Sequence, residues 1–280
     1  MSTDTVDQLT HIIDEVKRLP LDWHTVGSLP NPVLDAMVRH LSNRQVDHSL
    51  ETGSGKSTLI LSHISRDHSC FSIDLGRSLS VVRESPLLNR ETVTFIEGPS
   101  QKTLPAHQFT TKLQFALLDG PHAFPFPHLE YYFVYPHLEE NALLVVDDIK
   151  VPTTYDLFEF LRADQMFELV EVMHNNTAFF RRTDAPTFDP VGEGWWLQRY
   201  NEPDGERSRA VAALLEPEPE VPTPVQPEPE VPTPVQPEPE VPAPVPAPKV
   251  PTPVSRLIHL LPRRVVDALK RIEAIKRLID

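Results

Sequence analysis

The chain has 280 residues and a formal net charge of −14, with 40% apolar residues and one cysteine, Cys70. The negative charge argues against general binding to nucleic acid. A single cysteine excludes an internal disulfide and fits a reducing compartment. The first residues show no signal-peptide pattern, and no apolar run approaches the roughly 18 residues of a membrane span. We therefore expect a cytoplasmic protein with one core of roughly 150–200 residues.

Two helices are predicted before the first strand. Apolar residues recur at helical spacing over 5–19, where Pro20 ends the pattern, and again after Asn31. Asn31-Pro32 is a good helix start, because proline fits the first helical turn. We interpret residues 1–45 as an N-terminal helical cap, which either covers a ligand site or packs on the core.

A glycine-containing turn at residues 49–58 (Ser-Leu-Glu-Thr-Gly-Ser-Gly-Lys-Ser-Thr) joins a short strand to a helix. Glycine lets a ligand approach the backbone, and a helix N-terminus offers free N–H groups. Gly55-Lys56-Ser57-Thr58 is similar to the end of a nucleoside triphosphate loop, but Leu50 stands where that loop requires glycine. Glu51 before Gly53-Ser54-Gly55 instead resembles the first motif of class I S-adenosylmethionine-dependent methyltransferases. A bare turn without a ligand is the third alternative.

Strands and helices alternate after this turn. The alternation predicts an α/β protein with a doubly wound parallel sheet over residues 46–200, in which the ligand crevice lies at the carboxyl ends of the strands. Further strands are predicted at 70–74, 93–98, 113–118, 142–146, 167–173 and 177–181. Acidic residues end five of the predicted strands and can meet at one site: Glu51, Asp74, Glu97, Asp119, and Asp147 with Asp148.

Three of these carboxylates, Asp119, Asp147 and Asp148, follow two predicted strands. Like charges so close together are costly without a cation, and carboxylate oxygens suit Mg²⁺. Helix capping with solvent exposure is the alternative. His122, three residues after Asp119, can take the proton from a substrate hydroxyl. Asp74 lies where an acid commonly accepts hydrogen bonds from a ribose, although an exposed strand-end aspartate would have the same spacing.

Four ordered motifs at 51–55, 71–74, 117–122 and 144–149 together resemble the class I methyltransferases. Within them the chain is most similar to the macrocin O-methyltransferase-like group, over roughly residues 25–200. The resemblance implies a seven-stranded, Rossmann-like sheet with its last strand antiparallel. It also implies Mg²⁺ on Asp119, Asp147 and Asp148. The candidate S-adenosylmethionine contacts are Glu51, Gly53, Gly55, Ser57, Asp74, Gly98 and Ser100.

The chain departs from this group at two places. Glu140-Asn141-Ala142 replaces the usual Pro-Gly-Gly turn, and Pro121 stands where the sugar enzymes often carry a second acid. The expected function is methyl transfer to a hydroxyl of a small molecule, such as a sugar, with His122 as the base and Asp119 beside it. A nucleotide-binding enzyme and a non-catalytic scaffold that works through its tail are the alternatives. The resemblance gives Lys56 no role, and as a cation in the first helical turn it opposes the helix dipole.

The end of the chain differs in composition from the rest. Residues 201–254 turn polar and then rich in Pro, Glu and Val, with 16 of the 31 prolines between 216 and 254. Such a segment favours a solvated, disordered linker near polyproline II. Residues 255–280 carry seven basic and three acidic side chains, and apolar residues recur there at 3-4 spacing. This pattern predicts a basic amphipathic helix, which would bind an anionic membrane surface at the inner face of the membrane or a protein partner.

The tail generates a prediction. We expect the full chain to sediment with anionic liposomes at low salt, because each basic residue near such a surface contributes about 1 kcal/mol. A chain ending at Pro253 is the control and should stay in the supernatant. If the full chain also stays in the supernatant, the membrane hypothesis is wrong and a protein partner becomes the better one.

Overall fold

The computed structural model describes residues 3–20, 28–189 and 198–201. The predicted disordered linker, apart from residue 201, and the predicted helix at 255–280 lie outside the described residues, so both stay predictions. Within the described residues, no helix combines the length and the apolar composition that a bilayer-spanning helix needs.

A seven-stranded sheet forms the centre of the structure, in the strand order β3-β2-β1-β4-β5-β7-β6. Strand β7 runs antiparallel to both of its neighbours, whereas β1 to β5 pair in parallel. The predicted doubly wound, Rossmann-like sheet with an antiparallel last strand is therefore confirmed. The strands are β1 (Val46–Thr52), β2 (Ser65–Ser72), β3 (Val93–Glu97), β4 (Leu113–Leu118), β5 (Leu138–Val146), β6 (Phe167–Met173) and β7 (Thr177–Arg182).

Within the described ranges, seven α-helices flank the sheet in two layers. Apolar residues of α1 to α4 belong to one buried cluster, and those of α5 to α7 belong to another. Side chains alternate along a strand, so neighbours such as Phe115 and Ala116 contribute to different clusters. The helices are α1 (Thr3–Arg18), α2 (Asn31–Leu41), α3 (Lys56–Ile64), α4 (Ser78–Glu84), α5 (Ser100–Ala106), α6 (Phe126–Val134) and α7 (Pro152–Ala163).

The two N-terminal helices pack on the sheet rather than forming a separate layer above it. Val16 of α1 and Met37 of α2 are fully buried, in the same cluster as the strand residue Phe115. Lys17 connects the two helices, because its ammonium lies 2.8 Å from the Asp35 carboxylate. Of the two interpretations of residues 1–45, the described helices support packing on the core.

Strand β2 begins earlier than the sequence indicates. The prediction placed it at 70–74 because the apolar residues lie there, whereas the structure has Ser65–Ser72. The polar first half pairs with β1, with Val46 opposite Ser65 and Leu50 opposite Ser69. Helix α3 ends at Ile64, so no residue separates it from β2. Pairing within the sheet, which a search for apolar residues cannot detect, decides where this strand begins.

Candidate functional site

A cavity of about 350 Å³ opens at the carboxyl ends of β1 to β4. Its walls come from the ends of these strands, the turns after them and nearby helix residues, with Gly53, Ile73, Gly98 and Gly120 each contributed by a different turn. Chain order reverses between β1 and β4, which are neighbours in the sheet. Such a switch point is where open α/β sheets bind their ligands. The volume lies within the roughly 300–1,000 Å³ of small-molecule pockets.

The turn after β1 is set by close contact with the end of β4. Gly53 has φ of +88°, and a Cβ atom there would lie 2.4 Å from the Asp119 carbonyl oxygen. The Gly53 amide donates to the Phe71 carbonyl at 2.9 Å, which fixes the turn against β2. Only glycine combines this backbone conformation with the missing side chain. Gly55 has extended backbone, precedes α3, and donates its amide to Thr58 Oγ1 at 3.0 Å.

Glu51, a predicted cofactor contact, is buried beneath the turn and is not among the residues that line the cavity. Its carboxylate accepts from Ser57 Oγ at 2.7 Å and lies 3.1 Å from His68 Nε2. His68 is itself fully buried, with Nδ1 2.7 Å from Ser49 Oγ. Glu51 still pairs within the sheet as a residue of β1, so its side chain enters the layer under the turn. Glu51 and Ser57 therefore hold the start of α3 to the strand before it.

Asp74 lies at the rim of the cavity. It is exposed, and the residues on either side of it, Ile73 and Leu75, line the cavity. The Asp74 carboxylate accepts from the Ser80 hydroxyl and from the Ser80 amide, the latter at 3.1 Å. These hydrogen bonds from Ser80 lower the pKa of Asp74, so the group is an anion at neutral pH.

The turn after β3 places two polar side chains on the wall. Gly98 lines the cavity with φ of +143°, and its amide donates to the Ser72 carbonyl at 3.0 Å. Ser100 is buried and Gln101 is half-buried, and Ser100 Oγ and Gln101 Oε1 form no hydrogen bond of standard geometry. The structure thus brings the predicted contacts Gly53, Gly98 and Ser100 to one cavity, and it adds Gln101.

A cluster of two carboxylates and an imidazole follows β4 and β5. His122 Nε2 lies 3.6 Å from Asp119 Oδ1 and 3.3 Å from Asp148 Oδ2. The three groups offer ligand atoms that all lie within 4.8 Å of one another. His122 also lines the cavity, so the cluster and the cavity are adjacent. Asp148 has φ of +55° and accepts from Asn176 Nδ2 at 2.8 Å, which fixes the direction of its carboxylate.

Asp147 differs from the prediction that it joins Asp119 and Asp148. Its carboxylate accepts a hydrogen bond from the Thr177 hydroxyl of β7, and the side chain is buried. Consecutive residues at the end of a strand point in opposite directions, so only one of two adjacent aspartates can face the cluster. His122 takes the place that the sequence analysis gave to Asp147.

The charges within the cluster shift its pKa values. Burial raises the pKa of Asp119, with the Asp147 and Asp148 carboxylates adding to the effect. The Asp119 carboxylate in turn raises the pKa of His122, because it stabilises the imidazolium form. A proton held between Asp119 and His122 is therefore stabilised near neutral pH, and the imidazole is a stronger base than an isolated histidine.

Glu130 of α6 is a lining residue that the sequence analysis missed. It is 2% exposed, and its Oε2 accepts from Thr52 Oγ1 at 2.8 Å. Burial raises the pKa of this carboxyl to about 7. The available signal was an acidic residue inside an otherwise apolar helix, Leu129-Glu130-Tyr131, which indicates a buried carboxyl.

Lys56, whose position resembles that of a phosphate-loop lysine, does not line the cavity. Its side chain is 1% exposed, and Nζ donates to the Leu19 carbonyl at 2.5 Å. Burial lowers the pKa of this ammonium. Lys56 therefore ties the end of α1 to the start of α3, and this contact does not favour the nucleotide-loop alternative.

The comparisons with known proteins agree with this geometry. Residues 50–149 match a family described as a methyltransferase domain. The match covers 100 of the 280 residues. The family match and the fold together support an S-adenosylmethionine-dependent methyltransferase of class I. No curated relative matches the sequence.

The chain is similar to several solved structures of methyltransferases. A Staphylococcus aureus protein assigned as a caffeoyl-CoA O-methyltransferase has 15% identity and a TM-score of 0.52, covering 63% of this chain and 96% of its own. The Podospora anserina methyltransferase PaMTH1, solved with bound SAH, has 15% identity and a TM-score of 0.49. The likeness covers 64% of this chain and 88% of PaMTH1. A protein from Klebsiella pneumoniae assigned as an O-methyltransferase has 16% identity and a TM-score of 0.48. The likeness covers 65% of this chain and 91% of that protein. At 15% identity the likeness to the Staphylococcus aureus protein establishes the fold alone.

The turn in this methyltransferase generates a stability prediction. Gly53→Ala should lower the free energy of unfolding by roughly 1–3 kcal/mol, because alanine is strained at positive φ and its Cβ meets backbone of β4. Chemical denaturation measures the change. Gly55→Ala, in the same turn but with extended backbone, is the matched control and should cost less. Equal losses in the two variants would contradict the role given to the contact with Asp119.

Proposed function

We propose that this methyltransferase transfers the methyl group of S-adenosylmethionine to a hydroxyl of a small molecule. The observation that carries the proposal is the cavity at the switch point, which adjoins a histidine–aspartate cluster. The walls also carry polar atoms that form no hydrogen bond of standard geometry within the described part of the chain and are available to a ligand, namely Ser100 Oγ, Gln101 Oε1 and Glu130 Oε1.

The cofactor would bind across the turns after β1 to β4. Phe71, Ile73 and Leu75 supply apolar wall for a flat purine, and Ser100 with Gln101 supplies polar atoms for its edge. We assign the ribose hydroxyls to Asp74, because its anionic carboxylate lies at the rim between two lining residues. The amino acid portion would then pass over Gly53, where no side chain blocks it. Glu51 and Ser57 would affect cofactor binding indirectly, because their hydrogen bond holds the turn that contains Gly53.

The reaction would take place where the cavity meets the cluster. The acceptor oxygen attacks the methyl carbon, the carbon–sulfur bond breaks, and the sulfonium becomes a neutral thioether. The His122 imidazole takes the proton that the acceptor hydroxyl loses, since His122 lines the cavity and is flanked by two carboxylates that stabilise its protonated form. Without a cation, the Asp119 and Asp148 carboxylates orient the imidazole. Alignment of oxygen, methyl carbon and sulfur supplies most of the rate enhancement.

The cluster fits a divalent cation in part. Asp119 and Asp148 present carboxylate oxygens within 4.8 Å of each other, and such oxygens are the ligands that Mg²⁺ prefers. Asp147 is bonded to Thr177 instead. We therefore propose that Asp119 and Asp148, without Asp147, would hold the cation. When bound, a cation at this position lowers the pKa of the acceptor hydroxyl.

A sugar hydroxyl is the first acceptor class to test, because the four sequence motifs resemble the macrocin O-methyltransferase-like group. The substrate-binding loops decide the acceptor, and Pro121 lines the cavity where sugar enzymes often carry an acid. Other small hydroxyl compounds, such as catechols, belong in the same panel. Turnover of any of them would exclude the scaffold alternative.

Calorimetry with S-adenosylhomocysteine tests the proposed cofactor. We expect saturable binding in about the micromolar range, because the cavity has the size and the unpartnered polar atoms that a nucleoside requires. ATP is the control and should not bind, since Lys56 is held by Leu19. Binding of ATP without binding of the adenosyl compound would overturn the proposal in favour of a nucleotide enzyme.

Substitutions of the adjacent residues Asp147 and Asp148 test the proposed cation site. Asp148→Asn should lower Mg²⁺-dependent activity at least about tenfold, because it removes one of two carboxylate ligands, and EDTA should lower the activity of the unchanged enzyme. Asp147→Asn is the matched control: its bond to Thr177 is weakened, so stability falls by about 1 kcal/mol while the Mg²⁺ requirement stays. Full activity in EDTA, or a larger effect of Asp147→Asn on Mg²⁺ affinity, would contradict this assignment.

A further inference from the structure

The Glu130 carboxyl is buried in the cavity wall, and only one of its two oxygens accepts a hydrogen bond of standard geometry. Thr52 Oγ1 donates to Oε2 at 2.8 Å, whereas Oε1 forms no hydrogen bond of standard geometry. The Ser100 hydroxyl and the Gly120 amide lie near this carboxyl and lower its pKa, although burial raises it by more. A buried polar atom without a partner costs roughly 1–3 kcal/mol. Because Glu130 lines the cavity, a bound ligand can supply the missing partner of Oε1.

The position of Glu130 is fixed relative to the reacting groups. A Cβ atom on Gly120 would lie 2.0 Å from Glu130 Oε1, so the carboxyl lies directly against the residue that follows Asp119. Thr52 Oγ1, which holds Oε2, also accepts from the Asp119 amide at 3.1 Å. Glu130 and Asp119 are thus connected through one hydroxyl. A methyl donor with its sulfur at the Asp119–His122 cluster would lie in the cavity that both Glu130 and His122 line.

The chemical change during transfer concerns the charge on that sulfur. S-adenosylmethionine carries a positive sulfonium, and the product S-adenosylhomocysteine has a neutral thioether at the same place. A carboxylate in a site shielded from water stabilises a nearby cation more strongly than a carboxylate in water does. Among the described lining residues His122 is the other titratable group, with Asp119 and Asp148 beside it, and Glu130 is the acid that α6 contributes to the lining.

We propose that Glu130 is a specificity-determining residue that makes the site prefer the sulfonium cofactor over its neutral product. This inference rests on the proposed function. The carboxylate attracts the cationic sulfur of the incoming cofactor, and the attraction disappears when the methyl group leaves. Product release is then favoured by the same side chain that favours cofactor binding.

Calorimetry at about pH 8, above the pKa of Glu130, tests the inference. S-adenosylmethionine, S-adenosylhomocysteine and the analogue with an amine in place of the sulfonium are titrated into the wild type and into Glu130→Gln. We expect Glu130→Gln to weaken binding of the two cationic ligands about tenfold, which corresponds to about 1.4 kcal/mol. Affinity for the neutral thioether should change less than about twofold. Ser100→Ala is the matched control and should weaken all three ligands by a similar factor.

Each other outcome has a defined meaning. If Glu130→Gln weakens all three ligands equally, or weakens none, the inference is wrong and Glu130 is a neutral part of the wall. If the variant does not fold, as its melting temperature would show, the wild type decides: the amine analogue must bind more tightly than the thioether, and equal affinities overturn the inference. If the wild type binds none of the three ligands, the proposed function itself has failed. The two failures are therefore distinguishable.

Discussion

The contact between Gly53 and the carbonyl oxygen of Asp119 is the constraint on which the site depends. It joins the ends of β1 and β4, which are neighbours in the sheet although β2 and β3 separate them in the chain. Because the two turns touch, the residues after them share one cavity. The same junction is held from below by Thr52, whose hydroxyl contacts both the Asp119 amide and the Glu130 carboxyl. Glycine at 53 and a hydroxyl at 52 therefore position groups that lie far apart in sequence.

Much of the fold and part of the site follow from the sequence. Alternating strands and helices predict a parallel sheet, and a parallel sheet brings its carboxyl ends together. This argument placed Gly53, Gly98, Ser100 and His122 at the site, and all four line the cavity. It works because it needs only the position where each strand ends, which apolar patterns indicate within a few residues.

The direction of each side chain could not be predicted in the same way. Glu51 and Asp147 end their strands as expected, but each finds a local hydroxyl partner, Ser57 or Thr177, in the layer away from the cavity. Glu130 was missed for the opposite reason, since it comes from the middle of a helix that reaches the site only through packing. The hydrogen-bond partner of each side chain depends on contacts in the folded protein. The positions where strands end do not indicate these contacts.

The direct junction between α3 and β2 has a consequence for how this protein can change. Ile64 ends the helix and Ser65 begins the strand, so the connection contains no loop that could absorb an added residue. One inserted residue would shift the pairing of β2 with both β1 and β3, and every side chain of β2 would move to the opposite face of the sheet. Length variation among descendants of this chain is therefore expected in the turns at the carboxyl ends of the strands. The turns that line the cavity are free to vary in length, while the α3–β2 connection at the opposite edge of the sheet is held to a fixed length.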